Sequence, residues 1–162
     1  MLVLAMPCLC DGTETHPLWQ DPFYVIMPTN HPFGALESVP VERLSEYNMV
    51  MMEDGHCLRE QTLAICRQSP SRSGSEGESE PTFTAMSLHS MAEMVELGLG
   101  IAIMPALAIE NSIRKNRAIL ARPPAGGATW RTIGLAWRPR SPRAADFTTL
   151  AGTLRTLAPH AA

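Results

Sequence analysis

The side chains best suited to chemistry in this sequence are two cysteines, Cys57 and Cys66, which stand nine positions apart. Cys57 follows Gly55 and His56 at a point where the pattern changes from a strand to a helix. The helix N-terminus and the basic side chains of His56 and Arg59 favour the thiolate of this cysteine. A thiolate reacts with oxidants, and a second cysteine can then close a disulfide with the oxidised sulfur. The pair therefore predicts a redox switch.

The spacing of the two cysteines opposes a disulfide for as long as one helix carries both. Nine residues of α-helix advance about 13–14 Å and turn the side chain to roughly the opposite face. A disulfide requires Cα atoms within about 7 Å of each other. We expect a helix over about residues 57–67, with Leu58, Leu63, Ala64 and Ile65 directed toward packing surfaces. Bonding the two cysteines would therefore require this helix to melt.

Apolar runs separated by turn residues predict short strands and helices around the cysteine pair. Ser87 is expected to cap a helix that stops at Gly98, and the polar run 69–81 is expected to be a mobile loop. Strands that alternate with helices predict an α/β sheet covered on both faces. The predicted strands are 2–5 (buried), 23–27, 48–52, 101–104 and 133–137, and the further predicted helices are 40–44, 87–97 and one from Ser141 with an apolar stripe of Phe147, Leu150, Ala151, Leu154 and Leu157.

Composition excludes several classes of protein. The 162 residues are 45% apolar, enough for one core or two small ones. The net charge of −3 argues against direct contact with DNA. Four cysteines at uneven positions do not form a secreted disulfide framework. The start lacks a basic segment and a long apolar run, and no apolar run reaches membrane-spanning length, so we expect a cytoplasmic protein.

The sequence resembles a known family along nearly its whole length. Gly-His-Cys-Leu-Arg at 55–59, with a second cysteine at 66, is similar to the sensing segment of the OxyR-like, peroxide-responsive members of the LysR-type transcriptional regulators. The likeness continues through 86–91, 98–108 and 131–139. The Gly-x-Gly-Ile-x-x-x-Pro block that starts at Gly98 is typical of the wider LysR-type class.

This resemblance implies a periplasmic-binding-protein-like (type 2) regulatory domain of two subdomains joined by crossing strands. Residues 21–132 would form the complete second subdomain, with the redox cysteines. Residues 1–20 and 133–162 would be the remaining parts of the first. The DNA-binding domain and half of the first subdomain would be missing, and a chain that opens on the apolar strand 2–5 agrees with an N-terminal truncation.

The resemblance also implies a function, which is activation of oxidative-stress genes in response to hydrogen peroxide. Peroxide would oxidise Cys57, Cys66 would close the disulfide, and thiol reductants such as glutaredoxin would reverse it. Arg131 would fold back near Cys57, and with His56 and Arg59 it would stabilise the thiolate or line the peroxide pocket. The full-length protein would be a homodimer or tetramer that binds promoter DNA only through the missing domain. No cofactor, metal or membrane is implied, and the chain would not be an enzyme.

Two other functions stay open from the residues alone. One is a LysR-type domain that senses a small organic effector in the cleft between subdomains, where the helix N-terminus at Ser87 would suit an anion. Such a sensor would not need the cysteine pair. The other is a thiol peroxidase that turns over, although the sequence has no Cys-x-x-Cys motif.

Other residues of reactive type favour structural roles. Cys8 and Cys10, with His16, could suggest a metal site, but Cys-x-Cys is a looser spacing than zinc sites prefer, so we interpret them as strand-end or loop thiols. The remaining candidates are three methionines expected to fill the core, Met49, Met51 and Met52, and three histidines expected at the surface, His31, His89 and His160.

Overall fold

A computed structural model describes residues 1–6, 12–54, 57–67, 83–112, 118–126 and 129–157. These residues form seven strands and four α-helices, so the predicted α/β class is confirmed. In the described part of the chain, each helix is too short or too polar to cross a membrane. The strands are β1 (Leu2–Met6), β2 (Glu14–Pro28), β3 (Val50–Met52), β4 (Phe83–Ala85), β5 (Ala102–Pro105), β6 (Ile119–Arg122) and β7 (Trp130–Trp137), and the helices are α1 (Cys57–Cys66), α2 (Leu88–Glu96), α3 (Ala106–Ser112) and α4 (Ala144–Thr156).

Contacts along the chain divide it into two compact units. The first unit is Met1–Pro22 with Trp130–Ala162, and the second unit is Phe23–Thr129. The second unit carries both cysteines of the predicted switch. Whether these units are parts of two regulatory subdomains, as the resemblance implies, stays a prediction.

The first unit is built on three antiparallel strands. β7 lies between β1 and the first part of β2, with Val3 opposite Leu135 and Thr15 opposite Ala136. Helix α4 packs against β7, and Leu135 and Ala151 are fully buried in the core between them. This small core holds α4 onto the sheet through an apolar stripe.

Two predictions of burial in the first unit are partly wrong. Leu2 and Val3 on β1 are 65% and 59% exposed, because β1 has β7 as its strand neighbour among the described residues and no described layer covers its first side chains. Leu150 in α4 and Leu157 just after it are exposed, whereas Phe147, Leu154 and Ala151 pack as predicted.

The second unit contains an antiparallel group of strands and a separate parallel pair, with helices around them. The second part of β2 pairs antiparallel with both β5 and β6, so that Val25 lies opposite Ile103 and Arg122. β3 runs parallel to β4, and the Val50 N–H donates to the carbonyl of Ile101, the residue before β5, at 2.8 Å. The largest fully buried side chains of this core are Phe33, Ile26, Met27, Leu44, Met91, Ile101, Ile103, Met104, Val25, Val39 and Val50.

Several predicted boundaries need correction. The strand predicted at 23–27 is the last part of β2, whose first part was hidden by its polar residues and by Pro17 and Pro22. The strand register shifts between Pro17 and Trp19, as expected of a residue without an N–H. The helix predicted at 40–44 is a 3₁₀ helix over Val41–Glu46. The elements that were not predicted are β4, β6, α3 and a 3₁₀ helix over Pro32–Ala35.

Helix α2 forms as its capping residues predict. The Ser87 side chain accepts from the backbone N–H of Ser90, and Met91 and Val95 face the core. Gly98 follows with a left-handed φ of 76° and closes the helix. Two residues later, a Cβ at Gly100 would overlap the carbonyl group of Asn48, so any side chain there would force the backbone to shift.

His31 is not a simple surface residue, contrary to expectation. Its Nδ1 accepts from the backbone N–H of Phe33 at 3.2 Å and so caps the 3₁₀ helix over Pro32–Ala35. The centroids of the Phe33 and Tyr47 rings lie 5.0 and 4.5 Å from that of the His31 ring. Burial lowers the pKa of His31 from its ordinary value of 6.5. His89 is exposed as predicted and lies 3.6 Å from Glu93. The run 69–81 and His160 lie outside the described residues.

We expect the His31 cap to make stability depend on pH. Because the folded-state pKa of His31 is lowered, the unfolded chain binds more protons as pH falls below 6.5, and stability is lost there. Protonation also removes the lone pair that accepts from Phe33 and adds a cation beside the Phe33 ring, which the Arg43 guanidinium already faces at 5.2 Å. The partly solvated ring limits the effect to less than about 1 kcal/mol.

The matched variant for this test is His31→Asn, which keeps a capping acceptor and does not titrate. Urea unfolding at pH 7.5 and 5.5 should show a larger loss of stability for the wild-type chain than for His31→Asn. Equal losses in the two proteins would contradict the role given to His31.

A pair of glycine substitutions tests the close approach of the chain at Gly100. Gly100→Ala should lower the free energy of unfolding by about 1–3 kcal/mol, because its Cβ would press on the backbone of Asn48. Gly152→Ala is the control: Gly152 lies in α4 with open space around it, and alanine there should stabilise by up to about 1 kcal/mol. Chemical denaturation of both variants measures the difference, and a neutral Gly100→Ala would refute the contact.

Candidate functional site

Helix α1 begins at Cys57 and ends at Cys66, so the predicted helix over both cysteines is confirmed. Cys57 is exposed, whereas Cys66 is 9% exposed and belongs to the core of the second unit. The nine-residue step therefore places the two sulfurs on opposite faces, as the helical repeat requires. One thiol faces solvent and the other faces the core.

The intact helix keeps the two cysteines too far apart to bond. Nine residues of rise separate their Cα atoms by about 13–14 Å along the helix axis, and a disulfide needs about 7 Å or less. Both residues carry thiols in this structure. A bond between them is compatible only with a different conformation of 57–66.

The buried face of α1 differs from the predicted one. Leu58, Thr62, Ile65 and Cys66 are buried, which is the spacing of one helical stripe, whereas Ala64 is exposed. The expectation that Ala64 packs inward was wrong because small apolar residues were counted without regard to this stripe. The polar Thr62, only 4% exposed, completes the stripe instead.

Arg59 fastens the first turn of α1 to the end of β3. Its Nε lies 2.7 Å from Oδ1 of Asp54, and its Nη1 donates to the carbonyl of Met52 at 3.2 Å. The Arg59 side chain is 17% exposed, whereas that of Asp54 is 92% exposed. The guanidinium thus lies within the second unit, close in sequence to Cys57, with contacts directed at the strand that precedes the helix.

Some of the predicted site residues lie outside the described part of the chain. They are His56, beside Cys57, and the two thiols of the possible metal site, Cys8 and Cys10. His16 is described: it is half-buried on β2, and its ring stacks on Trp137 with centroids 6.4 Å apart. Among the described residues, no three His, Cys, Asp or Glu side chains are grouped so as to hold a metal ion.

Arg131 lies on β7 in the first unit, paired with Asp21 directly across the sheet. Its Nε and Nη2 both lie 2.9 Å from Oδ2 of Asp21, whose side chain is 1% exposed. Removing one partner of such a buried pair costs about 3–5 kcal/mol, because the other charge is left without compensation. A role for Arg131 toward Cys57 stays a prediction.

The helix N-terminus considered for an anionic effector is occupied by its own side chains. The Ser87 hydroxyl accepts from the Ser90 N–H at 3.0 Å, and the Ser90 hydroxyl accepts from the Ser87 N–H at 3.1 Å. This capping box uses two of the donors that an anion would need.

Two residues of this site were missed by reasoning from sequence. Asp54 stands five positions before Arg59 in a turn, and that opposite charge was a usable signal. Asp21 pairs with Arg131 across 110 positions, and a strand assignment that reached back to Asp21 was needed to place them opposite each other.

Comparisons with known proteins place the chain in one family. A family profile described as the LysR substrate binding domain matches residues 1–159. A "Probable hydrogen peroxide-inducible genes activator" of Streptomyces viridosporus is 35% identical over 96% of this chain. The "DNA-binding transcriptional dual regulator OxyR" of Escherichia coli K12 is 36% identical over 86% of it. The chain spans only 48% and 43% of the lengths of these two relatives, which are regulators of transcription rather than enzymes.

The fold is also similar to that of a solved relative. The reduced form of the OxyR regulatory domain from Pseudomonas aeruginosa superposes with a TM-score of 0.78 at 30% sequence identity. The match covers 95% of this chain and 71% of that one. The likeness extends over both units of the present chain.

The opposite exposure of the two thiols predicts their relative reactivity. Under native conditions Cys57 should be alkylated at least about tenfold faster than Cys66, because Cys66 reacts only when α1 opens. Iodoacetamide labelling with peptide mapping measures both rates, and labelling in denaturant should make them similar. Equal rates in the native protein would show that Cys66 is not protected.

Proposed function

The chain belongs to the family of LysR substrate-binding domains and is OxyR-like, and on that premise we propose that it senses hydrogen peroxide through a Cys57–Cys66 disulfide. The complete protein would be a transcription activator, for which this domain is the regulatory part. The single observation that carries the proposal is the placement of the two thiols at the opposite ends and on the opposite faces of α1.

The first step is oxidation of the exposed thiol. The Cys57 thiolate attacks one oxygen of hydrogen peroxide; an S–O bond forms and the O–O bond breaks. The sulfur is oxidised to a sulfenic acid and the peroxide is reduced, with the second oxygen leaving as hydroxide that takes up a proton to become water. Exposure of Cys57 allows a small polar oxidant to reach it.

The second step closes the disulfide. The Cys66 sulfur attacks the sulfur of the Cys57 sulfenic acid; the S–S bond forms, the S–O bond breaks, and water leaves with the Cys66 proton. Since the intact helix holds the two sulfurs apart, 57–66 must be rebuilt for this step. Thiol reductants such as glutaredoxin would return the pair to two thiols, which restores α1.

We also propose, on the family resemblance, that His56 and Arg131 stabilise the Cys57 thiolate and orient peroxide. Arg131 carries a permanent positive charge, and its pairing with Asp21 fixes its guanidinium in one orientation. His56 precedes Cys57 directly in sequence. Both are cationic or can become so, which is the requirement for holding a thiolate.

The proposal extends to the complete regulator. Rebuilding of 57–66 would be passed to a partner copy in a dimer or tetramer and then to a DNA-binding domain that lies outside this chain. The chain itself carries a net charge of −3, so phosphate neutralisation on DNA would come from elsewhere in the protein. We place the regulator in the cytoplasm, where reductants keep such thiols reduced.

Two cysteine variants test the proposed chemistry. Mild peroxide should give a Cys57–Cys66 bond in the wild-type chain, and Cys66→Ser should accumulate the sulfenic acid on Cys57, because the resolving thiol is gone. Cys57→Ser is the matched control and should show no oxidation at Cys66 under the same dose. Dimedone trapping and non-reducing peptide mapping measure both products.

Two results would contradict this mechanism: a different disulfide partner for Cys57, and catalytic turnover of peroxide. Peptide maps in which Cys57 is joined chiefly to Cys8 or Cys10 would remove Cys66 as the resolving residue. Catalytic consumption of peroxide with a thiol reductant, at many turnovers per chain, would favour the thiol peroxidase instead of a sensor that reacts once per activation.

A further inference from the structure

Arg59 has contacts that a residue serving only the thiolate would not need. Its guanidinium donates to the Met52 carbonyl and pairs with Asp54, and both of these partners precede α1 in the chain. Met52 is the last residue of β3 and is 5% exposed, so this end of the contact is part of the folded sheet. The side chain therefore ties the start of the helix to a fixed point of the second unit.

From this geometry, and building on the proposed function, we infer that Arg59 is a positioning residue that acts as a latch on α1. Here the latch means the contacts of Arg59 with Met52 and Asp54. The latch holds the helical state that separates Cys57 from Cys66, and its release accompanies closure of the disulfide. Arg59 would thus set how readily oxidised Cys57 meets Cys66.

The position of Arg59 on the helix supports this role. A cation in the first turn of a helix faces the positive end of the helix dipole, which disfavours it. Tertiary contacts must offset this cost, and those to Met52 and Asp54 do so among the described residues. A hydrogen bond from a charged donor to a partly buried carbonyl is among the stronger single contacts in proteins.

The length of α1 explains why a tie at one end affects the other. The helix has ten residues, and isolated helices of that length are marginal in water. Such a short segment opens as one cooperative unit, so a contact that holds its first turn also protects Cys66 at its last turn. Burial of Leu58, Ile65 and Cys66 holds the helix from the core side, and Arg59 holds it from the β3 side.

The first test uses the reduced protein without peroxide. Native-state alkylation of Cys66 reports opening of α1, and Arg59→Gln should accelerate it about tenfold. Asp54→Asn should accelerate it about twofold, because an exposed ion pair contributes less. Glu60→Gln is the control: it removes an exposed charge from the same helical turn, and the rate should stay at the wild-type value.

The second test separates the latch from a role at the thiolate. After a pulse of peroxide, dimedone trapping gives the rate at which Cys57 becomes a sulfenic acid, and quenched peptide mapping gives the rate at which the disulfide with Cys66 closes. Asp54→Asn should speed closure and leave sulfenic acid formation within about twofold of wild type, and Arg59→Gln should also speed closure. Arg59→Lys, which keeps the charge without the two-sided contact, should also speed closure.

The possible results decide between the two roles of Arg59. Slower formation of the sulfenic acid with unchanged closure would overturn the latch and assign Arg59 to the thiolate. Alkylation of Cys66 in Arg59→Gln no faster than in Glu60→Gln would also overturn it. If the wild-type chain forms no Cys57–Cys66 disulfide, the proposed function fails, whereas the alkylation of Cys66 without peroxide still decides whether Arg59 holds α1. If Arg59→Gln does not fold, the exposed Asp54→Asn gives the same readouts.

Discussion

The helix α1 carries Cys57 and Cys66 at its two ends, and an intact helix excludes a disulfide between them. The other features of the second unit described above depend on this constraint. The rise of 1.5 Å per residue fixes the ends of α1 well beyond bonding distance, whatever the side chains do. The helical repeat also decides that one cysteine faces solvent and the other faces the core. Closure of a disulfide between the two cysteines is thus coupled to the conformation of these ten residues.

The packing of α1 against the core of the second unit couples its conformation to the rest of that unit. Leu58, Ile65 and Cys66 are buried against a core shared with β3, β5 and α2, so a change in this helix alters packing throughout the unit. The sheet beneath is fixed by close backbone contacts, among them the approach of Gly100 to Asn48. Packed cores change between discrete arrangements rather than deform continuously, which fits the switch proposed above.

The parts of this fold that could be predicted from sequence are those fixed by neighbours in the chain. The nine-residue spacing of Cys57 and Cys66 places them at opposite ends of one helix, and Ser87 and Gly98 mark the ends of another. The predictions that were wrong concerned residues whose structure depends on partners elsewhere in the fold. The first part of β2 could not be recognised because its pairing with β7 spans more than a hundred residues, and that pairing places Asp21 beside Arg131. His31 was expected at the surface, because its ring contacts with Phe33 and Tyr47 arise only in the folded structure.

The order of the two units along the chain has a consequence for biosynthesis. The second unit is contiguous from Phe23 to Thr129, whereas the described elements of the first unit come from both sides of it, with β7 and α4 after Thr129. β7 lies at the centre of its three strands, so that sheet cannot assemble until the ribosome has released the segment from Trp130 onward. The unit that carries Cys57 and Cys66 does not depend on any segment after Thr129. During synthesis the thiol-bearing unit can thus become compact first, while the strands of the other unit still lack their central partner.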